Sequence, residues 1–198
     1  IAYLYDGSYE GFLCCVFESY ARREIPSAIC APQQEQISLF EPRQILTEEQ
    51  KARRVFAGAG RLGGQVKYRL TTGFLSGAPE KELILLRFLR TAFAIGSGAA
   101  QMLGDPDVAG AWELERAVCN EAHLFQEFLR FEQRGNLLGA VIHPKNFVLP
   151  LLRGHFCSRL PDEDFLIQDA THKVAMLRHG REVRYLQMER YDAAPDAA

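Results

Sequence analysis

The spacing of apolar residues changes once along this chain, and that change governs what it can fold into. After a short opening strand, apolar side chains recur every three or four residues up to about Leu129, the helical period. From Phe131 to Gln187 they fall into short runs separated by turn residues, as strands do. Helices followed by consecutive hairpins predict the α+β class, with a small antiparallel sheet covered by helices. Residues 1–190 are read as one domain, with 45–105 as a helical insert or subdomain. Residues 191–198, small and polar, are read as a flexible tail.

The expected elements follow from local signals. Residues 2–5 read as a strand. Asp6-Gly7-Ser8 reads as a turn capping a helix over 9–24, where Phe12, Leu13, Val16, Phe17 and Tyr20 share a face. Pro26 and Pro32 bracket an irregular stretch, with a short strand expected at 37–40. Thr47 and Gln50 have the form of a capping box for a helix through Phe56. Gly58, Gly60, Gly63 and Gly64 punctuate the middle. Gly58 and Gly60 follow a helix rather than a strand, so they are no phosphate loop. Residues 80–102 predict one long helix, apolar almost all round. Asp105-Pro106-Asp107 opens the next helix, with Trp112, Cys119, Ala122, Phe125 and Leu129 as its buried stripe. A hairpin (131–133 with 137–142), a helix (147–159) and a meander (165–169, 174–178, 182–187) complete the reading, with His179-Gly180 as the last turn.

Charge is unevenly spread. The net charge is -2 and the sequence pI about 6.3, so the whole-chain field does not attract polyanions. Residues 1–50 hold three basic and eight acidic side chains, whereas residues 51–90 hold nine basic and two acidic. Either that block is a solvated helix face or it is a local anion-binding patch. If it is a patch, Arg53, Arg54, Arg61, Lys67 and Arg69 are its candidate contacts, joined by Arg130 and Arg159 further along.

The five cysteines include no Cys-x-x-Cys, and their odd number and the adjacent Cys14 and Cys15 do not suit a disulfide framework. No basic start with an apolar centre marks a leader. No apolar run reaches the roughly 18 residues of a membrane span. A cytoplasmic location without membrane association is therefore expected.

Histidines and carboxylates supply the candidate catalytic groups. His123, with Glu127 one turn on, can carry a proton or contact phosphate, or can simply bond Glu127. His155 and Arg159 share a helix face; they can grip an anion, or Arg159 can pair with Asp162 or Glu163. Asp6 caps the first helix or reaches toward His155. Asp169 forms its own turn or joins a site. A metal site from His123, His155, His172 and Asp6 lacks any i, i+4 histidine pair, and Cys157 points away from His155. No metal and no cofactor are expected.

Four strings stand out: Tyr5-Asp6-Gly7-Ser8-Tyr9-Glu10-Gly11-Phe12-Leu13, Asn120-Glu121-Ala122-His123-Leu124-Phe125-Gln126-Glu127-Phe128-Leu129-Arg130-Phe131, Leu149-Pro150-Leu151-Leu152-Arg153-Gly154-His155-Phe156, and Phe165-Leu166-Ile167-Gln168-Asp169. With Arg159-Leu160-Pro161-Asp162-Glu163 they resemble a bacterial family of unknown function, of the DUF4130 type, that carries a DNA-metabolism label. The resemblance covers residues 3–187, closely at the ends and loosely over 30–105. Its genes are typically paired with one for a radical-SAM protein of DNA modification or repair. Some members are fused to a uracil-DNA-glycosylase-type domain. Members usually continue into a basic, aromatic segment and often carry Arg after the meander's Asp, where this chain has Ala170.

The resemblance implies a DNA metabolism or repair accessory protein that binds DNA or docks such an enzyme. In that reading residues 51–69 hold phosphates and Tyr or Phe stacks on an exposed base. The alternative is a hydrolytic enzyme acting on a nucleotide or nucleic acid through Asp6, His123, His155 and Asp169.

Overall fold

The computed structural model describes residues 1–32 and 41–188. The strand expected at 37–40 and the tail at 191–198 lie outside the described residues. Six α-helices and two sheets, of three and five strands, make up the described residues. This is the α+β class. The chain divides into two compact units, Ile1–Phe74 with Ala78–Glu115, and Leu75–Gly77 with Arg116–Ala198.

In the first unit, β1 (Ala2–Leu4) leads into α1 (Tyr9–Ala21), followed by β2 (Ala28–Cys30) and β3 (Pro42–Gln44). The strand order is β2-β1-β3, with both pairings parallel. A central parallel strand is covered on both faces, and Ala2 and Tyr3 are wholly buried. Ser8 caps α1: its Oγ accepts from the Gly11 amide at 2.9 Å. Asp6 in turn accepts from the amide and hydroxyl of Ser8 at 2.9 and 2.6 Å.

Three further helices follow: α2 (Glu49–Arg61), α3 (Gly64–Phe74) and α4 (Lys81–Ile95). They bury Leu70, Leu85, Leu86, Phe88 and Leu89 against Phe12, Leu13 and Val16 of α1 in one core. Thr47 does not cap α2; Glu48 precedes it without a side-chain cap, and Thr47 donates its hydroxyl to Asp6 at 2.7 Å. Gly58 and Gly60 lie inside α2, and the break comes at Gly63, whose φ is +117°. The long helix expected over 80–102 ends at Ile95, because Gly96 adopts φ +96°, a conformation open to glycine without strain. A single 3-10 turn, Ala99–Gln101, then leads to α5 (Pro106–Phe128), whose first turn is capped by Asp105.

The rest of α5 belongs to the second unit, with β4 (Glu132–Arg134), β5 (Leu137–Ile142), α6 (Leu149–Arg159), β6 (Asp164–Asp169), β7 (Val174–His179) and β8 (Glu182–Gln187). The strand order is β4-β5-β6-β7-β8. Three pairings are antiparallel, but β5 and β6 run parallel, with Leu137 opposite Asp164 and Ile142 opposite Asp169. Helix α6 supplies the crossover that a parallel pair requires, so the sheet is mixed. Leu149, Leu152 and Phe156 of α6 pack with Phe165, Ile167 and Met176 in a second core.

The buried stripe of α5 runs through Val108, Ala111, Leu114, Val118 and Ala122, while Trp112 and Cys119 are half-buried. The last turn is Gly180-Arg181, since His179 pairs with Glu182 in the ladder. Glu121 accepts from the amides of Lys145 and Asn146, and the Asn146 side chain bonds the Gly77 amide at 3.0 Å.

Candidate nucleic-acid interface

Within the first unit, α1, α2 and α4 line a groove of about 510 Å³. Phe17 and Tyr20 sit three apart on α1. Arg54, Gly58 and Arg61 follow at i, i+4 and i+7 on α2, so all three share one helix face. Phe93 of α4 closes the wall. Gly58 makes room for it: a Cβ there would lie 3.1 Å from the Phe93 ring. Tyr20 meets Phe93 edge to face at 6.0 Å, yet the two remain 41% and 37% exposed. Large aromatic rings left this open at a groove are available to a ligand.

Arginines surround these rings. The Arg54 guanidinium lies 5.8 Å from the Phe17 ring centre, and that of Arg90 lies 4.6 Å from the Tyr20 ring. Both are cation–π distances. Arg54, Arg61 and Arg90 have no carboxylate partner among the described residues, and no carboxylate lines the groove.

Neighbouring cations of the basic block are held differently, although Lys51 also lies 5.6 Å over the Phe17 ring and Arg87 is exposed on α4. Lys51 donates to Glu48 and Glu18, and those bonds push its ammonium pKa up. Arg53 pairs with Glu49 four residues earlier. Lys67 is exposed and lies 4.3 Å over Phe56.

Arg69 corrects the sequence reading most clearly. It is 3% exposed and donates to Glu115 and to the Ala100 carbonyl, each at 2.7 Å. Burial and its bonds to Glu115 and Ala100 remove it from any phosphate-contacting surface.

Asp6 serves the helix cap described above. Partial burial raises its pKa, but the hydrogen bonds from Ser8 and Thr47 outweigh that and hold it below the ordinary aspartate value.

In the second unit the candidates fall into separate local arrangements. His123 and Glu127 are both exposed on α5, and no hydrogen bond joins them. His155 is half-buried on α6, edge-on to Phe156, and its buried Nε2 has no hydrogen-bond partner. Arg159 is exposed in the last turn of α6 and forms no pair with Asp162 or Glu163. Arg178 ties down that helix end instead, donating to the carbonyls of Cys157, Leu160 and Pro161. Arg130 borders a second groove of about 600 Å³, where Leu124 and Phe128 are 57% and 71% exposed.

Asp169 is fully buried at the end of β6. It accepts from the His172 amide at 2.9 Å and lies 2.6 Å from His172 Nδ1. The His172 side chain is 29% exposed. A carboxylate held against Nδ1 fixes the imidazole's orientation and favours a free Nε2 as proton acceptor. The sequence reading missed His172 in this role; its position three residues after Asp169 within one turn is the signal that identifies it. It also missed Phe17, Tyr20 and Phe93 as groove residues. The Arg54–Gly58–Arg61 spacing was the available clue.

Among the described residues no group of three His, Cys, Asp or Glu could hold a metal ion. No described helix is long and apolar enough to cross a membrane.

No curated protein matches the sequence. Residues 79–195 match a family described as a domain of unknown function, DUF4130. The match takes in α4 to α6 and the five-stranded sheet, and so includes Asp169 and His172; Arg54 and Arg61 lie ahead of it. Since it spans more than half of the chain, the protein belongs to the DUF4130 family.

Proposed function

We propose that this protein is an accessory factor of DNA metabolism. It binds DNA through the α1–α2–α4 groove and works beside a DNA-modifying or repair enzyme of the radical-SAM or uracil-DNA-glycosylase kind. The observation that carries the proposal is the set of three guanidiniums, Arg54, Arg61 and Arg90, that lack carboxylate partners and surround exposed aromatic rings. A guanidinium fork matches phosphate oxygens, and an open aromatic face accepts a base. The net charge of -2 restricts the attraction to this patch, so binding is modest and salt-sensitive. The exposed Leu124 and Phe128 groove of the second unit supports the docking half of the proposal.

Titration of fluorescent DNA with the full chain across a salt series tests the first half. Affinity that falls steadily with salt supports it, and no binding at low salt refutes it. Capture of the neighbouring radical-SAM protein, lost on Phe128→Asp, tests the second.

The Asp169–His172 pair favours one other reading, a hydrolase of nucleotides or nucleic acids in which His172 accepts a proton from water. Turnover abolished by His172→Ala and reduced by Asp169→Asn would support that reading. Absence of turnover in the unsubstituted protein would remove it.

A further inference from the structure

We infer that the α1–α2–α4 groove takes an unpaired base together with its flanking phosphates, so that its ligand is single-stranded rather than duplex nucleic acid. The inference rests on the DNA-binding reading above and adds the strandedness. The groove offers two kinds of contact at once. Tyr20 and Phe93 present aromatic surface, with Phe17 beside them, and Arg54 and Arg61 present guanidiniums along the same wall. The two arginines lie seven positions apart on the helix, which sets their backbones about 10 Å apart along α2. That spacing lets them reach phosphates on either side of one nucleotide while the base stacks against the exposed aromatic surface.

A duplex cannot use this arrangement. Its bases are covered on both faces by their neighbours, so it would meet the arginines through phosphates alone and leave the rings facing water. A single strand satisfies both sets of groups. The groove volume of about 510 Å³ suits a ligand of nucleotide size, in the lower half of the usual range for small-molecule sites. Gly58 is the device that keeps it open, because a side chain there would press on the Phe93 ring. The Arg90 guanidinium against Tyr20 adds a further positive charge at the rings and carries no competing carboxylate. The shared chemistry, a base with phosphate, could also come from a free nucleotide. The strand is favoured because it offers a separate phosphate to each of Arg54 and Arg61, which are spaced along α2 rather than converging on one point.

The test measures binding of the full chain to four probes: a labelled oligothymidylate about a dozen nucleotides long, its duplex with the complementary strand, an abasic oligomer carrying the same number of phosphates, and thymidine monophosphate as competitor. The expected result is single-strand affinity at least about tenfold above both the duplex and the abasic oligomer, the lower end of what one stacked base contributes. The monophosphate should compete only at far higher concentration. Tyr20→Ala, at an exposed position, should lower single-strand affinity by a larger factor than abasic affinity, and equal losses on the two probes would overturn the inference. Equal affinity for single strand, duplex and abasic oligomer would overturn the inference and leave DNA binding standing. Competition by the monophosphate at equal affinity would overturn the polymer ligand. Failure of every probe to bind at low salt would overturn the inference and the DNA-binding reading together.

Discussion

Arg69 and Glu115 form a buried ion pair, 2.7 Å from Nε to Oε2, with side chains 4% and 13% exposed. The second arm of Arg69 reaches the Ala100 carbonyl. This pair ties α3 to α5 inside the first unit. Removing one partner leaves the other charge buried and unpaired, so Arg69→Ala should destabilise the protein by about 3–5 kcal/mol. The double change Arg69→Met with Glu115→Leu should recover most of that loss. Urea unfolding measures both; equal destabilisation by the single and double variants would contradict the assignment.

Gly77 should tolerate no side chain. A Cβ there would stand 2.1 Å from the Lys145 carbonyl oxygen, which belongs to the backbone and cannot rotate away. The Gly77 amide is also held by the Asn146 side chain. Gly77→Ala is expected to cost about 1–3 kcal/mol or more, as overpacking does. Gly60→Ala, with nothing within 4 Å of its Cβ, should be neutral or slightly stabilising in the same measurement.

The cap of α1 should respond to acid. Asp6 has its pKa held below the ordinary value, so it contributes stability above the unfolded aspartate pKa of about 3.9. That contribution is lost as pH falls through the lower folded value. Asp6→Asn should therefore differ from the unsubstituted protein at neutral pH and converge with it in strong acid. Ser8→Ala should cost about 1 kcal/mol or more at neutral pH, where it removes both the cap on the Gly11 amide and the hydroxyl that donates to the Asp6 carboxylate, and the second part of that cost should fade in acid as Asp6 protonates. Melting temperatures from neutral to acid pH check both.

Cys14 and Cys15 lie wholly within the first core, and burial pushes the Cys15 thiol well above its usual pKa. Neither should react with a thiol-specific disulfide reagent in the native protein. All five cysteines should react in denaturant. Rapid modification of Cys15 under native conditions would contradict the core described above.

Periodic segments were legible in the sequence, and relationships between segments were not. Residues 165–169, 174–178 and 182–187 appear as β6, β7 and β8 within one residue at each end, because alternation and turn chemistry are local. Three-residue β2 is too short to show any period. The parallel pairing of β5 with β6 depends on where α6 returns the chain, which composition does not encode. Helix α4 was overextended because apolar residues continue past Gly96, whose positive φ is a property of the folded backbone.

The basic block shows the same limit at the site. Arg53, Arg54, Arg61 and Arg69 read alike in sequence, yet one pairs with Glu49, two face a groove and one is buried against Glu115. Asp169 was legible as a turn aspartate, and its hold on His172 became visible only with the turn's geometry.

Arg54 and Arg61 are the α2 cations proposed to meet DNA together with Arg90, whereas Lys51 and Arg53 on the same helix are already held by carboxylates. The most direct measurement compares single-strand DNA binding by Arg54→Ala/Arg61→Ala with binding by Lys51→Ala/Arg53→Ala across a salt series. Each phosphate contact contributes about 0.7 to the slope of log affinity against log salt. The first double variant should therefore lose roughly 1.4 of that slope and most of its low-salt affinity. The second should keep both. Equal losses in the two variants, or full binding by Arg54→Ala/Arg61→Ala, would contradict the account.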